Sequence, residues 1–339
     1  MCPCRPDPAL TTAALLAAVG LAAGCASRSR PTPAPAKAPV VSPAPVAEPI
    51  QTVSLLGQPL TPQPMDAAKR TEREAALLQA QAALNAEPAS VAAAIWVGRR
   101  QAYLGDYRGA IDTYTRALTQ HPDSYRLLRH RGHRWITLRA FDRAVADLTL
   151  AWSLAQHHPD AVEPDGLPTP GVAPRSTDHG NILYHLALAQ YLQGDFVAAA
   201  EHFGQAAACA HNDDSLVAAT YWQVNSLRRA GQVEAASRLL SRVRTPAAGG
   251  MDVLENHTYY GLLLAFAGHL PTATLSAGDS AVGISVERAG LGYGLAQQAA
   301  SQGDPATRDR LLHEVIEQTD WAAFGHIAAE ADLARAAPR

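Results

Sequence analysis

YLGDYRGAIDTYTRALTQHP, residues 103–122, is the stretch from which the fold is read. Gly105-Asp106 is a turn signal between two helical segments. After it, Tyr107, Tyr114 and Leu118 recur at helical spacing and are expected to face a partner helix. Gly98, Ala110 and Ala117 are small, as residues must be where two helix axes approach closely. Pro122 ends the unit, because proline cannot continue a helix.

The unit repeats. Pro88 and Pro122, Gly98 and Gly132, Ala110 and Ala144, and Ala117 and Ala151 are each 34 residues apart. The same frame fits from Tyr125, with Gly132, Phe141, Ala144, Leu148 and Ala151. It fits again from Gly180, with Gly194-Asp195-Phe196, Ala199, Phe203 and Ala206, and from Val217, with Gly231, Val233, Ala236 and Leu240. Alanine is abundant and favours helix. No long β-branched alternation reads as strand. A fixed period of 34 with small residues at set places resembles the tetratricopeptide repeat (TPR), in which each unit is two antiparallel helices. The resemblance covers roughly residues 68–335 and implies an all-α superhelical solenoid. Its best repeats are 91–124, 125–152, 180–213 and 217–244. Residues 67–90 and 250–339 are degenerate units. Trp321 to Arg335 reads as a closing helix with Asp320 as its cap.

Ahead of the solenoid, Arg5 precedes an apolar run from Ala9 to Gly24, too short for a spanning helix. It reads as a signal peptide, residues 1–24. Leu21-Ala22-Ala23-Gly24-Cys25 resembles the bacterial lipobox, which implies cleavage before Cys25 and its lipidation; an ordinary cleaved signal is the alternative. Residues 25–66 follow as a Pro/Ala-rich, disordered linker that lifts the solenoid off a membrane. Ala26 after the lipidated cysteine implies, by the same resemblance, an outer-membrane lipoprotein facing the periplasm. Cys209 then remains as the one unmodified cysteine of the mature chain, so no intramolecular disulfide is expected.

The formal net charge is −3, which gives no global footprint for nucleic acid. Charge is unevenly spread, however. Residues 95–145 carry ten Arg and four Asp, whereas residues 250–339 carry eleven acids and five Arg. In TPR proteins the first helix of each unit lines a concave groove. The resemblance places Arg99 and Tyr103 there from the first good unit, and Arg126, Arg129, His133 and Thr137 from the second. Tyr184 and Tyr191 come from the third, and Tyr221, Asn225, Arg228 and Arg229 from the fourth. Arginine forks suit carboxylates and tyrosines give contact area at low entropic cost, so the groove is expected to take a peptide or an acidic segment of a protein partner. A solvated charged face without a ligand is the bland alternative.

Between the second and third units lies an insertion, residues 153–179, with five prolines. It carries Asp160, Glu163 and Asp165, which could enter the basic groove as an internal mimic of a ligand. Its histidines, His157, His158 and His179, together with Asp178, raise a metal site, as do His130 and His133; two ligands are too few, and no metal or other cofactor is expected.

Catalytic motifs are missing. Gly278-Asp279-Ser280 lacks the flanking residues of a hydrolase nucleophile, and no GxSxG, HExxH or phosphate loop occurs. Asp252 and Glu255 read as a capping box. Cys209 near a helix end has no feature that would favour its thiolate. The reading is a non-enzymatic, envelope-anchored scaffold that binds protein. Two further readings are a transporter-associated TPR lipoprotein that binds a small molecule, and an architectural component that assembles head to tail through its charge gradient.

Overall fold

Each good unit folds because its turn, its caps and its small residues agree. In a computed structural model, which describes residues 49–164, 173–275 and 284–337, the described residues belong to one compact unit. Helix α1 spans Ala67–Ala86. The first good unit pairs α2 (Val91–Tyr103) with α3 (Tyr107–Gln120), and the second pairs α4 (Tyr125–Thr137) with α5 (Phe141–Ala155). After the insertion come α6 (Asp178–Gln193) with α7 (Phe196–Ala208), then α8 (Asp213–Arg229) with α9 (Val233–Leu240). A lone α10 (His257–Phe266) follows, then α11 (Ile284–Ser301) with α12 (Pro305–Gln318), and finally α13 (Phe324–Ala336). This is an all-α solenoid of helix–turn–helix units, each packed on its neighbours. Side-chain oxygens cap most of the paired helices: Ser90, Asp106, Ser124, Thr177, Asp195 and Asn212 each accept a backbone N–H of the first turn.

The 34-residue spacing has a steric cause. A Cβ on Gly98 would lie 2.3 Å from the ring of Tyr114, and one on Gly132 would lie 2.6 Å from Cγ of Leu148. Tyr114 and Leu148 are themselves fully buried, as are Ala110 and Ala144. Each glycine is thus the floor on which the second helix of its unit lies. The turns are equally regular. Gly105, Gly194, Gly231, Gly268 and Gly303 all take a left-handed backbone with φ between 75° and 95°, the conformation glycine reaches without a Cβ penalty. The second unit departs from this. Arg139 stands at the corresponding turn with φ 63°, and makes the same pair of turn hydrogen bonds, Arg139 N–H to Ile136 O at 3.0 Å and Ala140 N–H to Trp135 O at 2.9 Å.

Three expectations are corrected. The linker does not extend to residue 66 as a disordered spacer. Residues Thr52–Val53 (β1) and Pro59–Leu60 (β2) pair antiparallel, and the hairpin is bonded to the solenoid through Thr52 Oγ1 to Leu138 O at 3.0 Å and Arg108 N–H to Gln51 Oε1 at 3.1 Å. Asp252 and Glu255 do not cap α10. The segment before it is instead organised by Asp214, whose Oδ1 accepts the backbone N–H groups of Leu254, Glu255 and Asn256 at 2.8–3.1 Å. Asp320 caps a turn ahead of the closing helix, accepting from Ala322 N–H at 2.9 Å, and the helix itself starts three residues later than expected, at Phe324. The lipobox, Cys25, Asp165 and Gly278-Asp279-Ser280 lie outside the described residues.

Gly132→Ala is expected to destabilise the fold by about 1–3 kcal/mol through overpacking against Leu148, despite the better helix propensity of alanine. Urea unfolding followed by circular dichroism checks this; an unchanged or raised midpoint would show that the two helices can part without cost.

Candidate functional site

The concave face is largely occupied by the chain itself. Helix α13 does not sit at the end of the solenoid as a cap. Residues Gly325 to Asp332 are buried without interruption, more than two turns, which marks a helix enclosed on all sides. It lies against α11, α12 and α6. Its approach to α11 is set by Gly325, where a Cβ would meet the backbone oxygen of Ala289 at 2.2 Å. Two acidic side chains on this helix are held by arginines of the repeats. Arg139 Nε donates to Glu330 Oε2 at 2.7 Å, with both side chains buried. Arg139 also donates to the backbone oxygens of Thr137 at 2.6 Å and Trp321 at 2.8 Å, and its guanidinium lies over the Trp321 ring. Asp332 accepts from Arg229 Nη1 at 2.7 Å, from Gln297 Nε2 at 2.9 Å and from the Tyr293 hydroxyl at 3.2 Å.

This arrangement redefines the expected groove. Tyr191, Tyr221 and Asn225 are fully buried and belong to the core, not to an open wall. The Tyr191 hydroxyl meets that of Tyr293 on α11 at 2.6 Å, and the Tyr221 ring stacks on Tyr259 of α10 at 4.3 Å. His133 and Tyr184 face Phe324 of the closing helix, with ring centroids 5.4 and 6.4 Å away. Arg228 lies over the Phe266 ring and donates to Gln298 at 3.1 Å. Thr137 is buried and bonded to its own helix at His133 O. The later elements α10, α11 and α13 cover His133, Tyr184, Tyr191, Tyr221 and Arg228, which a repeat-by-repeat reading treats as exposed.

Arg99, Arg126 and Arg129 remain together at the open end, beside a cavity of about 420 Å³ that Trp96, Tyr125 and Ile95 also line. Arg99 lies over the Trp96 ring at 4.8 Å and donates through Nε to the Tyr103 hydroxyl at 3.4 Å. Arg126 donates to Asp178 Oδ2 at 2.9 Å. The carboxylate of Glu163, from the insertion, enters between them. It accepts from Asn181 Nδ2 at 2.9 Å, and Arg129 Nε stands 3.1 Å from it without the alignment of a hydrogen bond. Arg99 and His130 lie at 3.8 and 3.7 Å from its other oxygen. The strand that delivers Glu163 is fixed by a bridge between Val162 and Thr177 and by Glu163 N–H to Ser176 O at 2.9 Å. One acidic residue of the insertion therefore occupies the basic wall. Asp160 does not; it accepts from His179 N–H at 2.9 Å instead.

Burial, with the nearby arginines, holds His130 and His133 well below the usual imidazole range, and burial does the same to His185. His133 and His185 stack at 4.3 Å, so all three are neutral packing groups at pH 7. Burial and Arg139 likewise press His326 down to about 4. Cys209 ends α7, and burial raises its thiol. A second cavity of about 290 Å³ lies between α6, α8 and the insertion, with Arg175, Asn181, Tyr184, Cys209, His211 and Phe324 in its wall. Among the described residues no three His, Cys, Asp or Glu side chains are grouped for a metal ion. Sequence reasoning passed over Trp96, Asn181, Arg139, Trp321, Phe324, Glu330 and Asp332. The available signal was Arg139, an arginine where five other turns carry glycine.

No family model matches the chain and no curated protein is similar to it. Among solved structures, MamA AMB-1 superposes on 52% of this chain and 89% of that chain at 17% sequence identity and a TM-score of 0.39. The repeat assignment stands on the 34-residue spacing and on the helix pairs themselves.

Two outcomes are expected. Arg139→Gly removes the left-handed strain but leaves Glu330 buried and unpaired, so it should destabilise by about 2–4 kcal/mol, and adding Glu330→Gln should restore part of that; no recovery in the double variant, by denaturant titration, would remove the pair from the account. The depressed imidazoles act in one direction. Their folded-state pKa lies below the unfolded value of 6.5, so the unfolded chain binds more protons and stability falls as pH drops from 6.5. For His326 alone the loss should approach about 3 kcal/mol by pH 4. A urea midpoint unchanged between pH 7 and pH 4.5 would mean that these rings are solvated.

Proposed function

We propose that the chain is a non-enzymatic interaction scaffold, held at the outer membrane by a lipid on Cys25 and facing the periplasm, and that it binds an acidic segment of a partner protein at the open end of its concave face. Helical-repeat solenoids of this kind present rigid surfaces for recognition. The observation that carries the reading is the grip on Glu163. The wall of Arg99, Arg129 and Asn181 receives a carboxylate carried on an extended strand of the chain's own insertion. Trp96 and the half-exposed Arg126 at the rim supply contact area and charge for a second chain. A partner segment with an acidic residue would compete with Glu163 for the same arginines. The apparent affinity is then reduced by the fraction of molecules in which the insertion is seated. No cofactor or metal takes part in this reading.

A second reading has its own support. The internal elements leave two separate clefts of about 420 and 290 Å³. The larger is of the size that holds small ligands, in keeping with a small-molecule-binding lipoprotein.

Quantitative co-purification from membranes of the native host decides between them. The native protein should recover a partner near stoichiometry. Trp96→Ala with Arg126→Ala, still folded by circular dichroism, should lose it. Glu163→Gln should raise the yield or lower the apparent Kd by about ten-fold if the insertion is seated in some 90% of molecules. Recovery of no abundant partner by any of the three would leave the small-molecule reading in its place.

A further inference from the structure

The hairpin that precedes α1 has its polarity reversed. Gln51 and Ser54 are turned inward and are 2% and 8% exposed. Ile50 and Val53 are turned outward at 54% and 55%, and Leu55 and Leu56 follow at the tip. Among the described residues eleven large hydrophobic side chains are exposed, and four of them fall within these seven positions. No charged residue occurs between Glu48 and Asp66, so the segment lacks the lysines and acids that keep an exposed strand edge in water.

Nor is the hairpin loose. Ser54 N–H donates to Gln58 O at 2.7 Å, and Ser54 Oγ accepts from the backbone N–H groups of Leu56 and Gln58 at 3.1 and 3.0 Å. Gly57 takes the left-handed position of the turn, φ 83°. Gln51 N–H bonds Leu60 O at 2.7 Å, and Thr61 O accepts from the indole of Trp321 at 2.7 Å. The side chains of Gln51 and Thr52 thus hold the hairpin to the solenoid, and that of Ser54 closes its turn. Four exposed apolar side chains within seven positions are presented on this rigid support, and clustered exposed apolar groups mark an interaction surface.

We infer that this patch docks on a lipid bilayer. Ile50 lies 25 positions after Cys25, and the hairpin is the first folded element that the described chain offers after that cysteine. This placement rests on the envelope-anchored reading above. A tether of that length keeps a bilayer at high effective concentration near the hairpin, and an apolar contact adds to the attachment in proportion to the area it buries. With no charge in the segment, the contact requires neither anionic lipid nor low salt.

The test uses the chain from residue 25 onward with Cys25→Ser, floated with vesicles of phosphatidylcholine and with vesicles of phosphatidylethanolamine and phosphatidylglycerol at 3:1. The inference expects binding to both, unchanged by 0.5 M salt, and at least a ten-fold smaller bound fraction for Val53→Thr, Leu55→Ser and Leu56→Ser combined, with helicity and unfolding midpoint retained. Equal binding by the triple variant, no binding by either protein, or binding only to the anionic vesicles at low salt would each overturn it. Labelled palmitate supplied to a bacterial host separates the two readings. Labelling of the native chain without vesicle binding leaves the anchor and sinks the hairpin; vesicle binding without labelling does the reverse.

Discussion

The guanidinium of Arg139 is the joint on which the arrangement depends. It sits on a left-handed turn where the other units place glycine, a conformation that costs an ordinary residue about 1–2 kcal/mol. In return it reaches Glu330, Thr137 O and Trp321 O, and covers the Trp321 ring. Removing Arg139 alone would leave Glu330 buried without its partner, at a cost of about 3–5 kcal/mol, more than the strain it would relieve. From that joint the closing helix is aimed along the concave face. Gly325 then allows it to touch the backbone of α11, and Arg229 holds its far end through Asp332.

The occupant of the groove determines what is left for recognition. In the third and fourth units, tyrosines that would line an open trough are bonded or stacked to α11 and α10. At the first two units the wall keeps its arginines, and the insertion supplies the carboxylate they grip. In the proposed reading the remaining capacity is at the rim, around Trp96 and Arg126. In the hairpin, Gln51 and Thr52 bond the solenoid while Ile50, Val53, Leu55 and Leu56 are exposed.

The repeats were legible because their cause is local. Gly98 against Tyr114 and Gly132 against Leu148 are contacts within one unit, and a fixed spacing records them. The turn at Gly105-Asp106 and the caps at Ser90 and Asp195 are local in the same way. The site was less legible. Arg99, Arg126 and Arg129 line one cavity, but Tyr191, Tyr221 and Asn225, placed by the same repeat frame, are buried. Tyr191 and Tyr221 are covered by Tyr293 and Tyr259, from helices 102 and 38 positions further on, which no periodicity within a unit can register. Residues 50–65 misled for a related reason. Their prolines match those of the linker before them, and what orders them is hydrogen bonding to Leu138 and Trp321 rather than any propensity of their own.

Solenoids are ordinarily one-dimensional: each repeat touches only its neighbours, and melting can start at either end and spread. Here residues 139 and 330 are 191 positions apart and in direct contact, as are Thr61 and Trp321 at 260. The array is closed into a loop. Fraying of the last helix must also release the second unit's turn and the indole held by the first residues of the body, so the ends are not free to unravel separately. A chain emerging from synthesis N-terminus first can stack its repeats as they appear, but it can make this closure only once Trp321 and Glu330 have arrived, and loop closure over such a span is intrinsically slow. Completion of the fold is thereby a single step that follows the stacking of the repeats.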